Sequence, residues 1–337
     1  MRTITFLMLS ATIAALPSCT KKSLSAPVTD PISLPGNATA YVAGVAGDTA
    51  VYFVNGKEYT LTSGKTPASA NAIALSGSDV YVAGYESNGK HQVAKYWKDG
   101  VAVILSDTAM NAVANGITIV GSDIYVAGWI SLGAVNAAAL WKNGGLTLLT
   151  AAGHDGEANA LVANGSDIYV AGYDSTAGQA TACYWKNSAI TLLPDSLAYA
   201  VAQAITVSGS DVYLAGWDRT ADQFTYMGPR LWKNGSVLPL TTATPYAMAT
   251  SIVVANDTTY IAGEDYYRSV YWKNENENYI SDGVQCNAIT MDNGILYIAG
   301  QDGISGNGGD AAVFWRNGIA FPLDYNTASA NAILVTN

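Results

Sequence analysis

Short apolar runs alternate with clusters of Gly, Asn, Asp and Ser along most of the chain. The runs are rich in Val, Ile, Tyr, Trp and Thr, the residues that favour β-strands. The clusters, such as Ser-Gly-Ser at 76–78 and Asp-Gly at 99–100, are typical of tight hairpin turns. No stretch of ten residues keeps a helical period. The pattern therefore predicts strands in groups of four, and one such group covers residues 70–76, 79–85, 93–98 and 101–105.

These groups repeat along the chain. The octapeptide GSDIYVAG occurs at 121–128 and again at 165–172, and a Trp-[Lys/Arg] pair follows later in every group but the first. Seven groups of four strands at a spacing of 37 to 47 residues are typical of a β-propeller. We therefore predict an all-β, seven-bladed β-propeller with four antiparallel strands per blade. Its Tyr-[Val/Leu/Ile]-Ala-Gly motifs begin at Tyr41, Tyr81, Tyr125, Tyr169, Tyr213, Tyr260 and Tyr297.

A further motif predicts how the ring closes. An Asn or similar residue precedes each later tyrosine of the motif by ten positions, but none precedes Tyr41. The motif appears once more at the end of the chain, at Asn331. We expect this C-terminal strand to complete the first blade, because closure removes exposed strand edges. The propeller is predicted to cover residues 38–337.

The repeats resemble a known group of propellers. Their Trp-[Lys/Arg]-Asn-Gly and [Val/Ile]-Tyr-Val-Ala-Gly-[Tyr/Trp] segments are similar to the HAF-type and related β-propeller repeats of bacterial extracellular proteins. The resemblance covers about residues 38–337 and implies the fold and an extracytoplasmic compartment. Those families share no single chemistry, so the resemblance assigns no catalytic residue.

The N-terminus has the pattern of a targeting segment. Arg2 precedes an apolar stretch at 4–16 that is too short to span a bilayer. Leu-Pro-Ser-Cys at 16–19 resembles a bacterial lipobox, which implies a signal peptide at 1–18, lipidation of Cys19 and a flexible tether at 19–37. The resemblance places the protein in the cell envelope, anchored to the outer membrane on a side left undetermined. An ordinary cleaved signal with an incidental cysteine is the alternative.

The charge composition limits the classes of binding partner that the sequence predicts. Lys and Arg number 16 against 26 Asp and Glu, for a net charge of -10, which argues against nucleic acid. Glycans, cations and envelope proteins remain compatible with this charge. Cys183 and Cys286 fall in separate blades and are predicted to be buried free thiols. We expect a monomeric ring.

The two ends of the ring are predicted to differ. Two loop sets vary in length and define the top, where binding usually occurs, and two sets of short, alike turns define the bottom. We expect an acidic top and a basic-ringed bottom, which either are solvated rims or attract cationic partners to the top. The top acids are Glu86, Asp107, Asp174, Asp195, Asp218, Asp265, Asp282, Asp302 and Asp324, and the bottom cations are Lys98, Lys142, Lys186, Lys233, Lys273 and Arg316.

Two sets of top residues are candidates for ligand binding. One set follows the motif glycine and offers stacking surfaces and polar groups for a glycan, or else packs between blades. The other begins the innermost strands and either rings the channel for a ligand or satisfies a neighbouring blade's backbone. The first set is Tyr85, Trp129, Tyr173, Trp217, Glu264 and Gln301. The second set is Asn71, Asn115, Asn159, Gln203, Thr250, Asn287 and Asn331.

Three top loops depart from the repeat. Residues 152–157 combine His154 with two carboxylates, a weak signal for a metal or acid–base site. Residues 219–230 form a long loop that would overhang the channel. Calcium is the only cofactor that the sequence suggests, weakly, through Asp302, Asn307 and Asp310.

Enzymatic motifs are scarce. The chain has two histidines and lacks a nucleophile elbow, a P-loop and a dinucleotide-binding fingerprint. The leading hypothesis is a non-catalytic envelope lipoprotein that recognises a ligand or protein on its top face, with a glycan as one such ligand. The alternatives are a carbohydrate-active enzyme using top-face carboxylates and a structural subunit of an envelope complex.

Overall fold

The computed structural model describes residues 32–176, 178–193, 199–219, 227–266, 268–281, 285–303, 311–324 and 328–337. The predicted signal peptide, Cys19 and most of the predicted tether lie outside these ranges. So do Asp195, Asp282, Asn307, Asp310 and the middle of the 219–230 loop. In the described part of the chain no helix is long and apolar enough to cross a membrane.

The described residues form seven four-stranded antiparallel sheets, each one blade. Blade 1 contains β1 (Thr39–Ala46), β2 (Thr49–Val54), β3 (Lys57–Thr60) and β28 (Ala328–Thr336). Blade 2 contains β4 (Ala68–Ser76), β5 (Asp79–Ser87), β6 (Gln92–Lys98) and β7 (Val101–Ile104). Blade 3 contains β8 (Ala112–Val120), β9 (Asp123–Ser131), β10 (Asn136–Lys142) and β11 (Gly145–Leu148).

The remaining four blades follow in chain order. Blade 4 contains β12 (Asp155–Asn164), β13 (Asp167–Thr176), β14 (Gln179–Lys186) and β15 (Ala189–Leu192). Blade 5 contains β16 (Tyr199–Ser208), β17 (Asp211–Arg219), β18 (Gly228–Lys233) and β19 (Ser236–Leu238). Blade 6 contains β20 (Ala247–Ala255), β21 (Thr258–Asp265), β22 (Arg268–Lys273) and β23 (Asn276–Ser281). Blade 7 contains β24 (Gln285–Asp292), β25 (Ile295–Asp302), β26 (Ala311–Arg316) and β27 (Ile319–Asp324).

The ring closes as the sequence predicts. The last strand, β28, pairs antiparallel with β1 from Thr39↔Thr336 to Ala46↔Ala328 and so supplies the innermost strand of blade 1. The innermost strands of neighbouring blades contact one another around a central channel. The predicted seven-bladed propeller, including its closure by the C-terminal strand, is therefore confirmed.

Residues just before the ring are more ordered than a flexible tether would be. Ile32 and Leu34 are buried against blade 1, and Pro35–Asn37 form a single 3-10 turn. The Ile32 amide also donates to the Asn55 carbonyl at 2.8 Å. The prediction of a flexible tether is wrong for residues 32–37, because their apolar side chains find a hydrophobic contact on the ring.

The core lies between blades. Trp141 of blade 3, for example, packs with Tyr81 and Ala83 of blade 2 and with Ile130 of its own sheet. Each blade therefore buries both of its faces against its neighbours. Cys183 and Cys286 are buried free thiols, as predicted. The six repeat tryptophans are at most 2% exposed: Trp97, Trp141, Trp185, Trp232, Trp272 and Trp315.

A β-bulge sits at the top of every innermost strand. In blade 3 the register between β8 and β9 shifts between Ala114 and Gly116, which leaves Asn115 as the extra residue. The bulge brings the Val113 carbonyl so close to Gly128 that a Cβ there would lie 1.9 Å from its oxygen. The invariant glycine of the repeat motif is therefore a requirement of the bulge.

Candidate functional site

A cavity of about 630 Å³ opens at the top of the central channel. It brings together residues from both candidate sets. Trp129, Tyr173 and Trp217 form an aromatic wall on blades 3 to 5, together with Tyr199. The remainder of the lining is largely polar and includes Asn115, Asn159, Gln203, Thr250, Asn287 and Asn331. The mouth of the channel is thus chemically two-sided.

The polar residues of the second set occupy the bulges, and most of them link blades. Asn159, for example, donates from Nδ2 to the Ala202 carbonyl of blade 5 at 3.0 Å. Six of the seven side chains make the equivalent bond to the next blade, at 2.5 to 3.1 Å, as the second of the two interpretations expects. These donors are Asn71, Asn115, Asn159, Thr250, Asn287 and Asn331.

Gln203 is the exception in this ring. It lines the cavity, and its side chain makes no hydrogen bond to the described part of the chain. Its extra methylene carries the amide beyond the position that the shorter asparagines occupy. Gln203 therefore presents both an amide donor and a carbonyl acceptor to whatever fills the cavity.

Part of the aromatic wall is stacked. The rings of Tyr199 and Trp217 lie 5.7 Å apart at an interplanar angle of 17°. The Arg219 guanidinium sits 4.3 Å from the centre of the Tyr199 ring, on which it holds a cation–π contact. The Tyr173 ring lies 6.5 Å from the Tyr199 ring at an angle of 40°, and Tyr173 is 8% exposed. Trp129 and Trp217 are only half-buried.

Glu157 adds a carboxylate to the cavity. It lies opposite Tyr173 in the register of β12 and β13 and accepts a bond from Asn136 Nδ2 at 3.4 Å. Burial raises the pKa of Glu157 above its ordinary value; the Asn136 bond opposes this shift, and Asp155 adds to it. Burial, with Glu157 and Asp155 nearby, also raises the pKa of the Tyr173 hydroxyl.

The predicted His154 cluster is divided among separate contacts. His154 Nδ1 lies 2.8 Å from Asp174 Oδ1, while Asp155 accepts bonds from the Asn136 amide and the Tyr173 hydroxyl. No group of three or more His, Cys, Asp or Glu side chains within the described ranges is arranged to hold a metal ion. Asp302, the described member of the weak calcium set, is 1% exposed.

The other members of the first set lie apart from this cavity. Tyr85 is half-buried in blade 2, opposite Ser69. The Gln301 amide donates to the Ala328 carbonyl at 3.3 Å. Glu264 lines a separate pocket on blade 6. Sequence reasoning did not assign Tyr199 or Glu157 to the channel, although both lie on innermost strands shortly before a bulge, which is the signal that points there.

The prediction of an acidic top is wrong for four of its seven described acids, because Asp174, Asp218, Asp265 and Asp302 are buried. Asp218 and Asp265 are fully buried, at 0% exposure, and are paired at 2.7 Å with Arg230 and Arg268. Acids two residues after the motif glycine share the strand face of Ile130, which points into the core between blades. Their position in the pleat therefore buries the four aspartates, whereas Glu86 at the same position is half-buried and paired with Lys95.

The basic bottom is also largely neutralised. In four blades the lysine after the repeat tryptophan pairs with the aspartate that begins its neighbouring strand. The bonded pairs are Lys98–Asp79, Lys142–Asp123, Lys186–Asp167 and Lys233–Asp211, at 2.7 to 2.9 Å.

Fold and site together define a seven-bladed β-propeller with an asymmetric cavity at one end of its channel. No protein-family model matches the chain, and no curated protein matches it. Among solved structures, the β-propeller domain of the Trilobed protease from Pyrococcus furiosus is 10% identical, with a TM-score of 0.49 and coverage of 86% of this chain and 95% of that chain. TolB from Acinetobacter baumannii is 12% identical, with a TM-score of 0.45 and coverage of 67% of this chain. The chain spans 61% of the TolB structure's length.

Proposed function

We propose that this protein is a non-catalytic recognition protein of the cell envelope that binds a glycan at the top of its channel. The single observation behind this proposal is that Gln203 and the half-buried Trp129 and Trp217 line the same cavity. Every other polar residue of the bulge ring is committed to a neighbouring blade, whereas Gln203 has its full hydrogen-bonding capacity available within the cavity.

The chemistry of the cavity suits a neutral, polyhydroxylated ligand. The half-buried faces of Trp129 and Trp217 offer flat apolar surface to the C–H faces of a sugar ring. The amide of Gln203 and the carboxylate of Glu157 offer partners to hydroxyl groups. A volume of about 630 Å³ falls within the range of about 300–1,000 Å³ typical of small-ligand sites.

The lining also favours binding over hydrolysis. Glycoside hydrolysis uses a pair of carboxyl groups on either side of the scissile bond. Glu157 is the only carboxylate among the described lining residues of this cavity. A carbohydrate-active enzyme would need a second carboxylate there, so this alternative has less support.

The N-terminal sequence supports an envelope location. The resemblance of residues 16–19 to a lipobox favours lipid attachment at Cys19, with the ring held close to the membrane as a monomer. Replacement Cys19→Ser would then release the protein from the membrane fraction of cells.

An envelope-complex subunit is the second candidate function. Its support is a row of exposed apolar side chains on the outermost strands of three neighbouring blades, namely Val101, Val103 and Ile104 on β7, Leu146 and Leu148 on β11, and Ile190 and Leu192 on β15.

Binding of the purified chain to a glycan array, followed by calorimetry on the best ligand, tests the glycan proposal. We expect Trp217→Ala and Gln203→Ala each to weaken binding about tenfold, the loss of one good contact. Tyr85→Ala is the matched control, because Tyr85 occupies the equivalent position in blade 2 but lies outside the cavity lining. Absence of any glycan ligand, or equal affinity in all three variants, would contradict the proposal.

A further inference from the structure

A second top pocket, of about 420 Å³, lies between blades 5 and 6. It is lined by Met227, Tyr246, Met248, Glu264 and Tyr266, and we call it the tyrosine pocket. The two tyrosine rings lie 5.9 Å apart and are tilted by 50°, so their faces form two sides of a corner. None of these five residues lines the channel cavity.

Backbone contacts between the blades fix the walls of this pocket. Met227 forms a parallel bridge with Tyr246, and the Ala247 amide donates to the Met227 carbonyl at 3.0 Å. The Tyr266 amide donates to the Tyr246 carbonyl at 2.6 Å, which ties the second tyrosine to the first. Met248 and Glu264 lie opposite each other in the register of β20 and β21. The pocket is therefore preformed.

Tyr266 has an unusual backbone for an aromatic residue. Its φ is 63°, in the left-handed region that bulky side chains rarely adopt. This conformation ends β21 and leaves the side chain 54% exposed at the pocket. Strained residues of this kind concentrate at ligand-binding positions.

Glu264 supplies a negative charge to the tyrosine pocket. It is half-buried and makes no hydrogen bond or ion pair with the described part of the chain. Arg268, the described cation closest in sequence, is bonded instead to Asp265 at 2.7 Å and to Glu277 at 3.3 Å. Burial raises the pKa of Glu264, with no neighbouring charge contributing.

We propose that the tyrosine pocket binds an organic cation of the quaternary or alkylated ammonium class. Aromatic faces attract such cations through the negative potential of their rings, and the attraction is strongest where water is displaced. The two methionines provide polarisable walls for methyl groups. Glu264 supplies the counter-charge that a sugar platform would not need. This site is independent of the channel cavity and of the glycan proposal.

Calorimetry of the purified chain with choline as the probe tests the inference. We expect choline to bind, and dimethylbutanol, its uncharged carbon isostere, to bind at least about tenfold more weakly. Glu264→Gln and Tyr266→Leu should each weaken choline binding about tenfold, while Tyr266→Phe retains it. Gln301→Ala, the equivalent position of Glu264 in blade 7, is the matched control and should bind choline as the parent chain does.

The outcomes separate clearly. Equal binding of choline and its isostere, or no choline binding at about 10 mM, overturns the proposal. If Tyr266→Leu fails to fold, the near-isosteric Glu264→Gln and the two probes still decide. Cosedimentation with phosphatidylcholine vesicles, lost in Glu264→Gln, would assign the cation to a lipid headgroup. Binding of choline without cosedimentation would assign it to a free cation. Both results support the cation site, and neither depends on glycan binding.

Discussion

The two ends of this propeller differ in how much their residues vary from blade to blade. At the bottom, four blades repeat the same contacts: a lysine pairs with an aspartate at 2.7 to 2.9 Å and lies 5.0 to 5.4 Å from a tyrosine ring. At the top, the position after the motif glycine differs from blade to blade and is Val45, Tyr85, Trp129, Tyr173, Trp217, Glu264 or Gln301. The repeated contacts of these four blades serve the scaffold. The two cavities at the top occur where the blades differ.

The top end itself contains a uniform layer beneath a variable one. The bulges, the motif glycines and six of the seven ring side chains form the uniform layer. Gln203 departs from that layer directly beside the aromatic wall. The repeated residues therefore stabilise the ring, whereas the residues that depart from the repeat are the ones available for recognition.

The largest expected effect comes from the uniform layer. Gly128→Ala would place a Cβ 1.9 Å from the Val113 oxygen, and the bulge cannot shift without disturbing the blade. We expect unfolding in urea to show a loss of at least about 3 kcal/mol. Gly145→Ala is the control, because its Cβ would come no closer than 3.2 Å to the Lys142 oxygen. Equal stability of the two variants would contradict the role of the bulge.

A second substitution pair sharpens the difference between Gln203 and its neighbours. Asn159→Ala leaves the buried Ala202 carbonyl without its donor, so we expect a loss of about 1 to 3 kcal/mol in the free energy of unfolding. Gln203→Ala breaks no bond within the described chain and should change stability by less than about 0.5 kcal/mol. A Gln203 variant as unstable as the Asn159 variant would show that Gln203 serves the scaffold.

The smallest expected effect concerns pH. Burial raises the pKa of Glu157, so the folded protein binds a proton at this carboxyl more tightly than the unfolded chain does. The stabilisation that follows is present below about pH 4.5, the ordinary pKa, and is lost as the pH rises above it. Hydrogen bonds from Lys142 and Asn143 lower the pKa of Asp123, so its contribution is present at neutral pH and is lost as pH falls through the lowered value.

Thermal unfolding across pH therefore distinguishes the two ends. Glu157→Gln should gain stability relative to the parent chain as pH rises to 8, and the two should converge near pH 4. Asp123→Asn should lose stability at pH 7 and converge with the parent in acid. The same sign for both variants at neutral pH would contradict the contrast between the ends.

The scaffold could be predicted from the sequence because every blade repeats the same strand and turn motifs. Period, turn residues and the displaced Asn331 motif were sufficient for blade number and closure. Exposure was harder to predict, because it depends on which face of the pleat a residue occupies. Asp218 was expected on the surface, yet its position two residues after Gly216 places it in the core between blades.

Which residues line the cavity depends on their distances across the ring, and these distances cannot be predicted from the sequence of a single blade. Tyr85 and Trp129 hold the same position in the repeat, but only Trp129 lines the cavity. Tyr199 reaches the cavity from a segment outside the repeat motifs, by stacking on Trp217. The separation of Glu264 into its own pocket likewise follows from the contacts of blade 6 with blade 5.

The most direct test of the account is a crystal structure of the protein with its best-binding glycan. The account predicts a sugar ring stacked on Trp129 or Trp217, with a hydroxyl group hydrogen-bonded to Gln203. A glycan bound instead at the bottom, or along the outermost strands, would contradict the assignment of recognition to the variable end of the channel.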